Sequence, residues 1–193
     1  VLNALTNVYI IVVFAAFIAV FVCGDFGNGV IKNIITKGYT RTEIYFAKYI
    51  VCLIVSLGYA LLAMLAGFIA GTVFWEAGDQ WNIKMLLLIL LQLLAVAAYN
   101  ALFNFFAALL KRIGPAMALS IAVPIVLPLI LSLLELLIDT DITFSNLWLS
   151  GAVSLVSSVD AAGADLAKSA LCSVVYLAVF TVCGWPLAKR REV

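Results

Sequence analysis

Histidine is absent from the 193 residues, charged side chains make up only 11% of them, and proline occurs four times. Without an imidazole the chain has no histidine general base and no histidine metal ligand. The four cysteines, Cys23, Cys52, Cys172 and Cys183, fall inside or at the ends of apolar runs, without C-x-x-C spacing. They read as small buried hydrophobes rather than redox or metal groups. No Asp/Glu cluster has metal-ligand spacing, and no G-x-x-x-x-G-K-[ST] phosphate loop occurs. The Gly24–Gly29 cluster lacks the Lys-Ser/Thr pair, so turning at a membrane edge is its expected use. No basic tract with interleaved aromatics points to nucleic acid. The chain is therefore expected to carry no catalytic residue, no metal and no cofactor of its own.

What is abundant is apolar surface. Hydrophobic residues account for 66% of the chain, against roughly 45–50% in soluble domains. A hydrocarbon core of about 30 Å needs about 20 apolar residues as a helix. Five stretches qualify: 5–24, 44–74, 84–110, 116–137 and 168–188. The expected fold is all-α, a polytopic transmembrane bundle formed by one domain over 1–193, with no repeat of fixed period or soluble linker. Lys111-Arg112-Ile113-Gly114-Pro115 reads as a helix stop at a left-handed Gly114 followed by a helix start at Pro115.

Positive charge is retained on the cytoplasmic side of a membrane, and here it alternates. Lys32, Lys37, Arg41 and Lys48 lie between the first two spans, Lys111 and Arg112 between the third and fourth, and Lys189, Arg190 and Arg191 after the fifth. These hold nine of the eleven basic residues. The opposite side has Glu76, Asp79, Asp139, Asp141, Asp160 and Asp165, countered by Lys84 and Lys168. The C-terminus is thus expected inside and Val1 outside, which predicts one more helix upstream, six in all, with both termini cytoplasmic. Segment 142–159 is apolar too, yet a span there would force Lys189–Arg191 outside. An outer-face interfacial or re-entrant helix anchored by Trp148 fits instead.

The longest loop on the positive side is Asp25–Lys48. Val30, Ile31, Ile34 and Ile35 recur at helical spacing with Lys32, Asn33, Thr36 and Lys37 opposite, which predicts a short amphipathic helix ending at Gly38. Thr40-Arg41-Thr42-Glu43 has the spacing of a capping box. The helix it starts runs unbroken to Phe74, roughly 50 Å at 1.5 Å per residue, and so projects beyond the hydrocarbon layer. Such a segment serves either as a lever for a soluble partner or as an anchor at the lipid headgroups. Spacing alone leaves both open.

Polar residues inside spans are costly and are functional candidates. Asn100 and Asn104 share a face of the third span, to line a cavity or to bond across helices. Glu135, near the outer end of the fourth span, either lines an exit path or reaches interfacial water. Pro124 and Pro128 each remove a backbone donor from that span and suit a hinge. Gly67 and Gly71 form a G-x-x-x-G packing face in the second span.

The run from Gly29 through Lys32, Asn33, Lys37, Gly38 and Arg41 to Lys48 resembles the signature of ABC-2 type permeases: G-x-I-K-N, then G-x-[ST]-R, then a closing lysine. The ending Leu187–Val193, basic then acidic, is similar to that family's C-terminus. The resemblance implies a half-transporter of the type V exporter kind in the bacterial cytoplasmic membrane, with the first family helix missing. Its coupling segment, 25–43, would bring Gly29, Lys32, Asn33, Lys37, Gly38, Arg41 and Glu43 to a separate nucleotide-binding subunit that holds ATP and Mg. The membrane helices would dimerise with a second permease, identical or not, and the cargo class would be antimicrobial peptides or drugs. The alternative is a non-transporting scaffold or signalling subunit that binds a cytoplasmic partner.

Overall fold

The computed structural model describes residues 8–27, 30–74, 83–110, 112–138, 148–156 and 163–189. Among them there are seven helices and no strand: α1 (Val8–Gly27), α2 (Val30–Thr36), α3 (Arg41–Phe74), α4 (Ile83–Leu110), α5 (Ile113–Ile138), α6 (Leu149–Leu155) and α7 (Gly163–Lys189). Continuous helix is the solution that lets an apolar segment satisfy its own backbone hydrogen bonds away from water. Four helices, α3, α4, α5 and α7, are long and apolar enough to cross a membrane. They mark a membrane-embedded protein. The span read as 5–24 begins outside the described residues, and its described part is α1, whose apolar run Ile10–Asp25 is shorter than the other four.

The helices are not equivalent in the bundle. α4 is buried along most of its length, whereas α3, α5 and α7 expose most of their apolar surface. Its neighbours α1, α3, α5, α6 and α7 all pack on it. The reason lies in its side chains: Ala95, Ala97, Ala98, Ala101, Ala107 and Ala108 are all buried, and methyl groups let neighbouring backbones approach from several sides. Larger residues such as Leu102 and Phe103 fill the remaining gaps. α1 contributes Ala15, Ile18, Ala19, Val22 and Cys23 to the same core.

α6 is a short element tucked against α7 and α4. The Trp148 ring before it meets Tyr176 of α7 edge-on at 5.4 Å, while Val156 after it clusters with Leu88 of α4 and Leu166 of α7. Tyr176 and Leu166 are about 15 Å apart along a helix, so α6 runs antiparallel to α7 over that distance. Of the segment 142–159, residues 142–147 and 157–159 lie outside the described residues.

Two expectations from sequence are corrected. Gly114 does not end a helix in the left-handed region: α4 stops at Leu110, Gly114 sits in the first turn of α5, and Gly38 is the positive-φ glycine among the described residues. The first α5 bond runs from the Ala116 N–H to the Arg112 carbonyl at 3.1 Å, which leaves Pro115 in the first turn, where no donor is needed. The cysteines also divide. Cys23 and Cys52 are buried, Cys172 is half-buried and Cys183 is exposed, because α7 packs along one face only.

Packing on α4 predicts a sharp contrast between positions. Ala101→Leu, at a fully buried site, is expected to destabilise by about 1–3 kcal/mol through overpacking. Leu136→Ala, on a residue 82% exposed, is expected to stay within about 0.5 kcal/mol. Thermal unfolding in detergent measures both.

Candidate functional site

The strongest local architecture is the elbow between α2 and α3. In α2, Ile31 is buried and Ile34 and Ile35 are half-buried, while Asn33, Thr36 and Lys37 are exposed. Val30, grouped by spacing with the apolar face, is exposed instead: at 100° per residue it lies on the edge of the arc centred on Ile31, Ile34 and Ile35. The face formed by these isoleucines holds α2 beside the end of α1. Gly29 and the side chain of Lys32 lie outside the described residues.

α2 ends through bonds from the Lys37 N–H to the Ile34 carbonyl (3.1 Å) and from the Gly38 N–H to the Ile35 carbonyl (2.9 Å). Gly38 then turns the chain at φ 93°, a region that costs an L side chain about 1 kcal/mol or more. Two residues on, the Thr40 N–H donates to Glu43 Oε2 at 2.8 Å and the Glu43 N–H donates to Thr40 Oγ1 at 3.4 Å. This reciprocal pair starts α3. The backbone bond from Thr40, reinforced by the Thr40 hydroxyl, holds the Glu43 carboxyl below its ordinary range. Asn33, Lys37, Gly38, Arg41 and Glu43 thus lie close in the chain on either side of the turn, all at least partly open to solvent.

The candidate path residues are placed differently. Asn100 and Asn104 are buried in α4, and Asn104 Nδ2 donates to the Asn100 carbonyl at 2.8 Å and to its Oδ1 at 3.1 Å. Gln92 on α4, Ser56 on α3, Ser120 on α5 and Ser169 and Ser173 on α7 are further buried polar residues of the bundle. Glu135 is half-buried near the far end of α5. It lies about 33 Å along its helix from Ile113, whereas Asn104 is about 9 Å from the adjoining end of α4, so the three do not line one surface. Pro124 and Pro128 both lie inside a continuous α5. Pro124 leaves the carbonyl of buried Ser120 without its helical donor.

The sequence did not reveal the cross-helix contacts near the elbow. Lys48 of α3 pairs with Asp25 of α1 at 2.7 Å. Tyr49 and Thr181 share a 3.1 Å hydroxyl bond between α3 and α7. The Cys23 thiol donates to the Ala107 carbonyl at 3.5 Å, joining α1 to α4. The one signal in the sequence was a lysine placed where a long apolar run begins. Among the described residues no three side chains are grouped to hold a metal.

One family's sequence model matches residues 2–193, nearly the whole chain. The chain belongs to the family described as protein of unknown function (DUF2705). Neither the curated proteins nor the solved structures include a match. For this DUF2705 chain the elbow and the cross-helix contacts beside it are therefore the material from which function is argued.

The elbow of the DUF2705 chain carries its own pH signature. A depressed carboxyl stabilises the folded turn above the ordinary glutamate pKa of about 4.3, and that contribution is lost as pH falls through the depressed value. Protection of the Thr40 and Glu43 amides, read by hydrogen exchange, is expected to hold from pH 7 to 5 and to decline below about 4. Glu43→Gln removes that dependence. Gly38→Ala, strained at any pH, lowers protection throughout.

Proposed function

We propose that this chain is the membrane-spanning permease subunit of an ATP-driven exporter, worked by a separate nucleotide-binding subunit that docks on the α2–α3 elbow. The observation that carries this reading is the elbow itself: a short helix with an outward polar edge, turned at Gly38 and locked at Thr40–Glu43 onto the foot of a 34-residue helix. At about 51 Å, α3 is longer than the about 30 Å hydrocarbon layer, so its foot stands clear of the lipid tails with room for a soluble partner. Lys37 and Arg41 offer cationic donors to acidic groups there, and Asn33 offers an amide.

In this reading the positively charged segments, the elbow included, face the cytoplasm, and the helices cross the membrane several times. The partner subunit binds ATP and Mg, and its closure displaces α2. α3 transmits that displacement into the bundle, and α5 bends where Pro124 and Pro128 interrupt its hydrogen bonds. The exposed apolar faces of α3 and α5 meet lipid or a second permease. A bundle wall with so few charges suits an amphipathic cargo such as an antimicrobial peptide or drug.

The test is purification of the tagged chain from its native membrane, followed by ATPase assay. An associated ATPase is expected. Lys37→Glu with Arg41→Ala is expected to weaken that association about tenfold or more, the loss of a charge-assisted bond. A chain that brings down a partner without ATP hydrolysis would be a scaffold, and an association indifferent to these two positions would place the docking surface elsewhere.

A further inference from the structure

We infer that Lys48 is a positioning residue that ties the elbow to α1, with Tyr45 and Tyr49 tying it to α7, so that motion of α2 reaches both helices together. The transmission of a push rests on the permease reading; the clamp itself does not. Four side chains at the foot of α3, Tyr45, Lys48, Tyr49 and Cys52, fall within about 100° of one helix face. Lys48 and Tyr49 form the two edges of that arc, and the edges touch different helices.

On the first edge, the Lys48 side chain is only 12% exposed and its ammonium meets three groups of α1. It pairs with Asp25 Oδ2 at 2.7 Å, donates to the Val22 carbonyl at 3.3 Å and lies 5.9 Å from the centre of the Phe21 ring. Carbonyl, carboxylate and ring all belong to two turns of α1, so the cation grips that stretch rather than a single atom. On the second edge, the Tyr49 hydroxyl bonds Thr181 Oγ1 at 3.1 Å. One turn away the Tyr45 hydroxyl lies against Gly184, where an added Cβ would overlap it. Thr181 and Gly184 are i,i+3 on α7, matched to the i,i+4 tyrosines of α3, whose rings are 6.3 Å apart. Between the edges, Tyr45 packs on Ala108 of α4, and Cys52 is fully buried.

A lysine that only sets topology needs positive charge on its side of the membrane and is indifferent to Asp25. A clamp needs the pair. Hydrogen exchange of the full chain in nanodiscs separates the two. Lys48→Met and Asp25→Asn are each expected to speed exchange about fivefold both in the elbow, Val30–Thr40, and in the last turns of α1. The swap D25K with K48D keeps the net charge and the ion pair but not the Val22 and Phe21 contacts, and is expected to bring both segments part of the way back toward the parent. Lys48→Arg should leave both segments close to the parent, and Tyr49→Phe, which removes one oxygen, should loosen the elbow together with α7 around Thr181.

Acceleration confined to α3 itself, or a swap no better than the single changes, would overturn the clamp. Lys48→Arg and Tyr49→Phe keep the test decisive where a charge-removing variant does not fold. With an ATPase partner bound, nucleotide is expected to change exchange in α2, α1 and α7 of the parent and in α2 alone of Lys48→Met combined with Tyr49→Phe. Absence of any such partner would remove the permease reading and leave the exchange result on the chain alone to decide the clamp.

Discussion

Close approach to α4 is the constraint on which the remaining structure depends. Five other helices lean on it, and they can do so because its buried surface is largely alanine methyls. In a lipid environment apolar surface gains little by leaving the solvent, so packing density and a few polar bonds hold helices together. An alanine surface maximises the first. It also sets the places for the second, since Gln92, Asn100 and Asn104 lie in the same helix and bring their amides into the centre of the bundle.

From that centre the polar contacts descend toward the elbow. Asn104 is bonded to Asn100, the Cys23 thiol reaches the Ala107 carbonyl, and Lys48 and Tyr49 join α3 to α1 and α7. Each bond is modest by itself, but the buried ones are made where water is scarce and an unmade partner is costly. Together they give α3 a rigid foot and α2 a defined place beside it. The far halves of α3 and α5 show the opposite character, with exposed Leu, Ile and Val side chains over much of their length. The bundle is therefore tied at the elbow end and sheathed in apolar surface beyond it.

Much of the helical content was legible in the chain, because long apolar runs and turn chemistry act over a few residues. The Thr40–Glu43 box and the left-handed turn at Gly38 are of this kind: both partners lie within one turn, so spacing alone specifies the bond. Gly114 misled for the same local reason. A glycine before a proline satisfies the pattern of a helix end, yet α4 ends at Leu110 and both residues lie inside the next helix, which begins at Ile113. The buried polar residues were visible as polar letters in an apolar span, without any indication of which helix they would face.

The sequence by itself determined that this is a helical, membrane-embedded chain with a polar elbow before its longest helix, since those features follow from apolar run length and contacts within four residues. Only the tertiary structure decided which helix is central and which lysine is a tie. α4 and its neighbours are apolar on nearly every side, so periodicity does not point to a partner. Lys48 and Asp25 are 23 residues apart, Tyr49 and Thr181 132 apart, and such pairs exist only once the packing of α1, α3 and α7 around α4 has set their distances.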